Sequence, residues 1–126
     1  MLIELDFSSQ KPIYEQLYEQ IILAMAKGTL QPGETLPAVR NLAEEIGINL
    51  HTVNKAYNLL KDEGYVSVDR RKGTLVNSFP ILTTRPSHFV LEEPLTLLVA
   101  KAHLMGITQQ DFLSLCETLY SHYKED

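Results

Sequence analysis

Residues 36–76 read LPAVRNLAEEIGINLHTVNKAYNLLKDEGYVSVDRRKGTLV. Within this stretch Val39, Leu42, Ala43 and Ile46 fall on one face of a helix. Pro37 is suited to open that helix, because a missing N–H costs nothing in the first turn. Gly47 can take the positive φ of a sharp turn, and Asn49 is a good N-cap for a second helix. That helix carries Val53, Ala56, Tyr57 and Leu60 on one face and stops at Gly64. Tyr65 to Val68 and Thr74 to Val76 alternate like short strands, joined through Asp69-Arg70-Arg71-Lys72-Gly73. Two short helices about a glycine turn, followed by a basic-tipped hairpin, define a winged helix-turn-helix. The fold class expected is mainly α with a small β-hairpin wing.

That arrangement has a physical consequence. The second helix, about residues 50–63, is the element exposed enough to enter a major groove, with its N-terminal residues nearest base edges. His51 and Thr52 lie in its first turn, and Asn54 and Lys55 follow. Asparagine can read adenine, and lysine can bind phosphate or guanine. Asn49 either only caps the helix or also touches DNA. Arg70, Arg71 and Lys72 at the hairpin tip are placed for phosphate or a minor groove. Around these positions, residues 49–57 and 70–74 hold four cations, Lys55 included, and no acid. The acids gather at Glu44-Glu45, Asp62-Glu63, Glu92-Glu93 and Glu125-Asp126. A net charge of −5 argues against a blanket polyanion binder, whereas a locally basic surface on an acidic chain suits site-specific binding.

Upstream, Leu2, Ile3, Leu5 and Phe7 suit an extended segment packed on the domain. Pro12 opens a long helix with Ile13, Leu17, Ile21 and Met25 at helical spacing, and Gly28 closes it. Pro32-Gly33 reads as the centre of a type II turn. Downstream, residues 78–92 contain Pro80 and Pro86 without periodicity and read as a linker. Pro94 can start a helix bearing Leu95, Leu98, Val99, Ala102 and Met105, ended by Gly106. Thr108 is suited to cap a last helix bearing Phe112, Leu115, Cys116, Leu119 and Tyr123. This pair, within 93–126, is expected to form a C-terminal helical hairpin. So small a pair cannot bury both faces by itself. A second copy across a two-fold axis would cover Leu95, Leu98, Val99, Ala102, Phe112, Leu115, Leu119 and Tyr123.

The segments PIYEQLYEQI, LQPGETLPAVRNLAEEIGI, TVNKAYNLLKDEGYV and RRKGTLV resemble, in order and spacing, the DNA-binding domain of GntR-family transcriptional regulators. The match covers roughly residues 11–77, and the short remainder resembles the YtrA-like subfamily, which ends in a small helical hairpin. The resemblance implies a winged-helix domain over 1–77 and a homodimer acting on a double-stranded DNA operator with inverted-repeat symmetry. It also implies a DNA contact for Arg40, a core place for Tyr57, and a tight turn with a phosphate-binding hydroxyl at Gly73 and Thr74. Two positions depart from the family pattern. Leu50 stands where members often carry a guanine-reading arginine, and leucine cannot donate a hydrogen bond. The usual Ser-x-x-Glu capping box before the first helix of the pair is Ala38-Val-Arg-Asn41, a loss of about 1 kcal/mol by cap energetics unless Pro37 and packing offset it.

Other functional classes find little support. No glycine-rich phosphate loop or nucleophile elbow occurs, so no enzyme and no cofactor is expected. His88, His103 and His122 are scattered, and no metal site is expected. No apolar run approaches the ~18 residues of a membrane span. The N-terminus lacks the basic region and apolar core of a signal peptide, and the lone Cys116 fits a reducing cytoplasm. A winged-helix protein-interaction module without DNA binding is the alternative, and the basic wing argues against it. Operator sequence, target genes and any small-molecule effector are open at this level.

Overall fold

The computed structural model describes residues 3–82 and 88–123, without the side chains of residues 88 and 89. Leu2, Pro86 and the pair Glu125-Asp126 lie outside the described residues. In chain order the elements are α1 (Ile13–Lys27), α2 (Val39–Ile46), α3 (Leu50–Asp62), β1 (Val66–Asp69), β2 (Gly73–Val76), α4 (Glu93–Leu104) and α5 (Gln109–Tyr120). The chain divides into two compact units, residues 1–82 and 83–126.

In the first unit α3 packs against both α1 and α2. Helical spacing explains which residues meet. Leu17, Ile21 and Met25 of α1, Leu42 and Ala43 of α2, and Val53, Ala56, Tyr57 and Leu60 of α3 are buried in one core. Val66 and Val76, a directly opposed pair in the antiparallel hairpin, join it. Each fully buried leucine, isoleucine or valine contributes roughly 1.5–3 kcal/mol, so this cluster fixes the angle of α3. Gly47 makes the turn between α2 and α3 with φ 72°, a left-handed conformation that glycine adopts without a Cβ penalty. The loop before α2 turns at Pro32-Gly33, where the Glu34 N–H donates to the Gln31 carbonyl at 3.1 Å.

One expected boundary shifts. α2 begins at Val39, not Pro37, and Ala38 is extended at its N-cap with ψ 145°. The reason is a long-range tie. Gly33 and Leu36 donate N–H groups to the carbonyls of Val76 and Thr74, and Val76 donates back to Glu34. Residues 33–36 therefore run beside β2, with Thr35 bridged to Leu75, and the chain leaves that strand still extended. Ala38 makes no side-chain cap bond, in line with the lost capping box.

The N-terminal segment is held by glutamine side chains. Gln20 Oε1 accepts the Glu4 N–H at 2.8 Å, and its amide donates to the Glu4 carbonyl. Gln16 Oε1 accepts the Asp6 N–H at 2.8 Å and its amide donates to the Asp6 carbonyl at 2.9 Å. Two side chains of α1 thus act as the missing strand partner. Ile3 is partly buried against the core, while Phe7 is exposed.

In the second unit helical geometry starts earlier than the sequence suggested. A π-helical turn, His88–Glu92, runs directly into α4, inside the stretch read as linker. Met105 caps α4, and Thr108 caps α5 by accepting the Asp111 N–H at 3.1 Å. Among the described residues of this unit Ala102 is the one buried apolar side chain. Phe112 and Cys116 are half-buried, and Leu95, Leu98, Val99, Leu115, Leu119 and Tyr123 are exposed. No helix among the described residues is long and apolar enough to cross a membrane.

Candidate nucleic-acid interface

The candidate site is built on α3 and the hairpin. The buried stripe of α3 leaves its opposite side outward, so His51, Asn54, Lys55 and Asn58 are exposed and Thr52 is half-buried. Asn49 is engaged as the N-cap, its Oδ1 accepting the His51 N–H at 2.7 Å. That satisfies one of the orphan donors of the first turn and fixes where α3 starts. Tyr57, buried as expected, ties α3 to the chain entering α2. Its hydroxyl donates to the Pro37 carbonyl at 2.7 Å, and burial pushes its pKa well above the usual phenol value. Arg40 lies exposed on α2.

Lys55 is not a free-swinging cation. Its ammonium sits 4.0 Å from the centroid of the Tyr14 ring on α1, within the range of a cation–π attraction. Tyr14, His51, Asn54, Lys55 and Asn58, with Leu59 and Asp62 further along, line one open cavity of about 400 Å³ along the outer flank of α3. Tyr14 and Asn58 were absent from the sequence-derived set. Asn58 follows Asn54 at i+4 and was legible by periodicity, whereas nothing in the sequence links Tyr14 to a lysine so far along the chain.

The wing is pre-shaped by an acid. Strands β1 and β2 pair in the register Val66–Val76 through Asp69–Gly73, leaving Arg70, Arg71 and Lys72 as the loop. The Asp69 carboxylate accepts the Lys72 N–H at 3.0 Å and the Arg71 N–H at 2.7 Å. These two bonds hold its carboxyl below the usual carboxylate value. An acid therefore does flank the three cations, but its oxygens are turned to the loop backbone, and all three cationic residues are exposed. Thr74 is half-buried opposite Val68, and Gly73 closes the hairpin opposite Asp69.

Among the described residues the one ion pair is Lys11 with Glu19. Arg40, Lys55, Arg70, Arg71 and Lys72 thus make no ion pair with any described residue. An exposed helix whose leading face is polar apart from Leu50, beside a cationic hairpin loop, is the equipment of a DNA-binding winged helix-turn-helix. It defines the class as a DNA-binding transcriptional regulator.

Comparison with known proteins sharpens the class. Residues 13–76 match the family described as "Bacterial regulatory proteins, gntR family". The chain is 36% identical over 107 residues to the HTH-type transcriptional repressor YtrA of Bacillus subtilis (strain 168), covering 84% of this chain and 82% of that protein. This chain belongs to the GntR family and resembles its YtrA-type members. The crystal structure of a transcriptional antiterminator from Listeria monocytogenes EGD-e aligns at a TM-score of 0.87 and 26% identity, covering 100% of this chain and 96% of that one. AraR(DBD), solved in complex with operator ORX1, aligns at a TM-score of 0.53 and 26% identity over 59% of this chain and 95% of that one.

Proposed function

We propose that the chain is a cytoplasmic, homodimeric repressor that binds an inverted-repeat operator in double-stranded DNA. The observation that carries the DNA reading is the set of exposed cations without an acidic partner around α3 and the wing. Cations left free of acidic partners are available to a polyanion, and each lysine or arginine that neutralises a phosphate releases counterions on binding. In this reading residues 1–77 bind DNA. His51, Thr52, Asn54 and Lys55 face base edges, Asn49 sets the helix start, and Arg40, Arg70, Arg71, Lys72, Gly73 and Thr74 hold the backbone. The operator complex of AraR(DBD), a structural neighbour, supports the docking, and the repressor role of YtrA supports the direction of control.

Residues 93–126 supply the second copy. Among the described residues this helical pair buries one apolar side chain, Ala102, and Leu95, Leu98, Leu115 and Leu119 are about half exposed. Covering them against the same surface of a second chain gives a closed two-fold dimer. Two DNA-binding units on one two-fold axis then require two half-sites in inverted orientation. Joining two weak modules raises affinity by about 10²–10⁴-fold through effective concentration.

The test is Lys72→Ala in the full chain, measured for DNA affinity over a range of salt. Two phosphate contacts per dimer disappear, so the slope of log K against log salt falls by roughly 2, with weaker binding to every sequence. Unchanged affinity and slope would leave the wing off the DNA, and a chain with no salt-dependent DNA affinity at all would instead be a protein-interaction module.

A further inference from the structure

Leu50 is the first residue of α3 and is 40% exposed, an apolar side chain on the face where every other leading residue is polar. It does not stand alone. A shallow depression of about 420 Å³ is lined by Arg40, Ala43, Glu44, Gly47, Ile48 and Leu50. Its apolar lining comes from Ala43, Ile48 and Leu50, and its two charged residues, Arg40 and Glu44, are both exposed. Gly47 contributes no side chain, and a Cβ placed there would meet nothing within 4 Å, so the depression is open to an incoming group. The depression lies where the α2–α3 turn delivers the reading helix, apart from the cavity that Tyr14 and Lys55 line.

We propose that Leu50 is a specificity-determining residue that selects thymine in each half-site by covering its C5-methyl group. The inference rests on the DNA reading above. The major-groove edges of the base pairs offer mostly polar donors and acceptors, and the thymine methyl is the largest apolar group among them, cytosine presenting only a C5–H at the same place. A leucine at the leading end of a groove-entering helix can make no hydrogen bond, so the methyl is the base-edge group that its exposed surface can desolvate. Arg40 in the same lining is placed to hold the neighbouring phosphate and keep the apolar residues over one base. The commitment is to DNA carrying a methyl at that position. Cytosine, which lacks the methyl, and uracil, which differs from thymine by the methyl alone, are both disfavoured.

The experiment uses the full chain and the DNA fragment that it selects from a random pool. Each thymine in the fragment is replaced in turn by deoxyuridine, which removes the methyl and leaves the Watson–Crick and groove hydrogen-bonding groups unchanged. The expected result is one sensitive position per half-site, with affinity falling about fourfold for one replacement, the value of one buried methyl. Replacing both half-sites lowers it roughly fifteenfold. In Leu50→Ala, checked for unaltered helix content and melting, the same replacements have no effect. Selection repeated with Leu50→Ala no longer enriches thymine at that position. The proposal is overturned if no thymine is sensitive to methyl removal in the wild-type chain, a result that depends on no variant folding. It is equally overturned if the sensitivity persists undiminished in Leu50→Ala. If no fragment is selected by the wild-type chain, the DNA reading itself fails, which is a different outcome from a selected operator indifferent to its methyls.

Discussion

Replacing Gly64 by alanine separates backbone strain from steric contact at the end of the DNA-binding unit. Gly64 follows α3 with φ 89°, and a Cβ built there would lie 2.9 Å from the Leu82 carbonyl oxygen and 3.3 Å from Ile81 Cγ2. Gly47 has the same left-handed backbone, φ 72°, with nothing within 4 Å of its Cβ position. Left-handed geometry alone costs an alanine roughly 1–2 kcal/mol. That is the expected loss for Gly47→Ala. Gly64→Ala must also push back a backbone carbonyl, and overpacking of this kind adds roughly 1–3 kcal/mol. Its expected loss is therefore about 2–5 kcal/mol. The assay is equilibrium urea unfolding of both full-length variants and the wild type at one protein concentration, followed by circular dichroism. Matched concentration matters, because association stabilises the folded chain. Equal losses in the two variants would refute the reasoning. They would mean that residues 81 and 82 do not close over Gly64, and that the first unit ends earlier.

Two further outcomes follow from the same geometry. Asp69 is held below the usual 3.8 by the Lys72 and Arg71 N–H groups, so its contribution to the wing is complete above that value and is lost as pH falls through the depressed one. The Arg71 and Lys72 amide resonances should titrate with a midpoint below 3.8, and a midpoint at or above 3.8 would show the turn unmade. Leu119→Glu places a carboxylate in the exposed apolar surface of α5, where dimerisation would bury it unpaired at a cost of several kcal/mol. Sedimentation should give a monomer with weak operator binding, and a dimer with full affinity would move the interface elsewhere.

The elements were legible because their signals are local. Periodicity placed α1, α3 and the hairpin, and the Asn49 cap, two residues from the N–H that it accepts, confirmed the start of α3. The start of α2 was not legible. It depends on residues 33–36 lying beside β2, a pairing across some forty positions that no propensity records. Gln16 and Gln20 were unremarkable in sequence, since a glutamine serving as a surrogate strand looks like any solvated helix residue. The π-helical turn at His88–Glu92 was hidden by the prolines that made its surroundings read as linker. At the site, residue types and exposure agreed for His51, Asn54 and the three wing cations. The restraint on Lys55 was out of reach, because its partner Tyr14 sits on another helix. Asp69 was readable in principle. An aspartate opening a short loop before glycine is a common acceptor for the loop's own N–H groups.

The central claim is a dimer that reads one site twice. Its most direct measurement is selection of DNA fragments from a random pool by the purified full chain, followed by sequencing. The account predicts a single enriched motif made of two half-sites in inverted orientation, at a fixed spacing set by the dimer. A motif with only one half-site, half-sites in direct repeat, or no enriched sequence would contradict it.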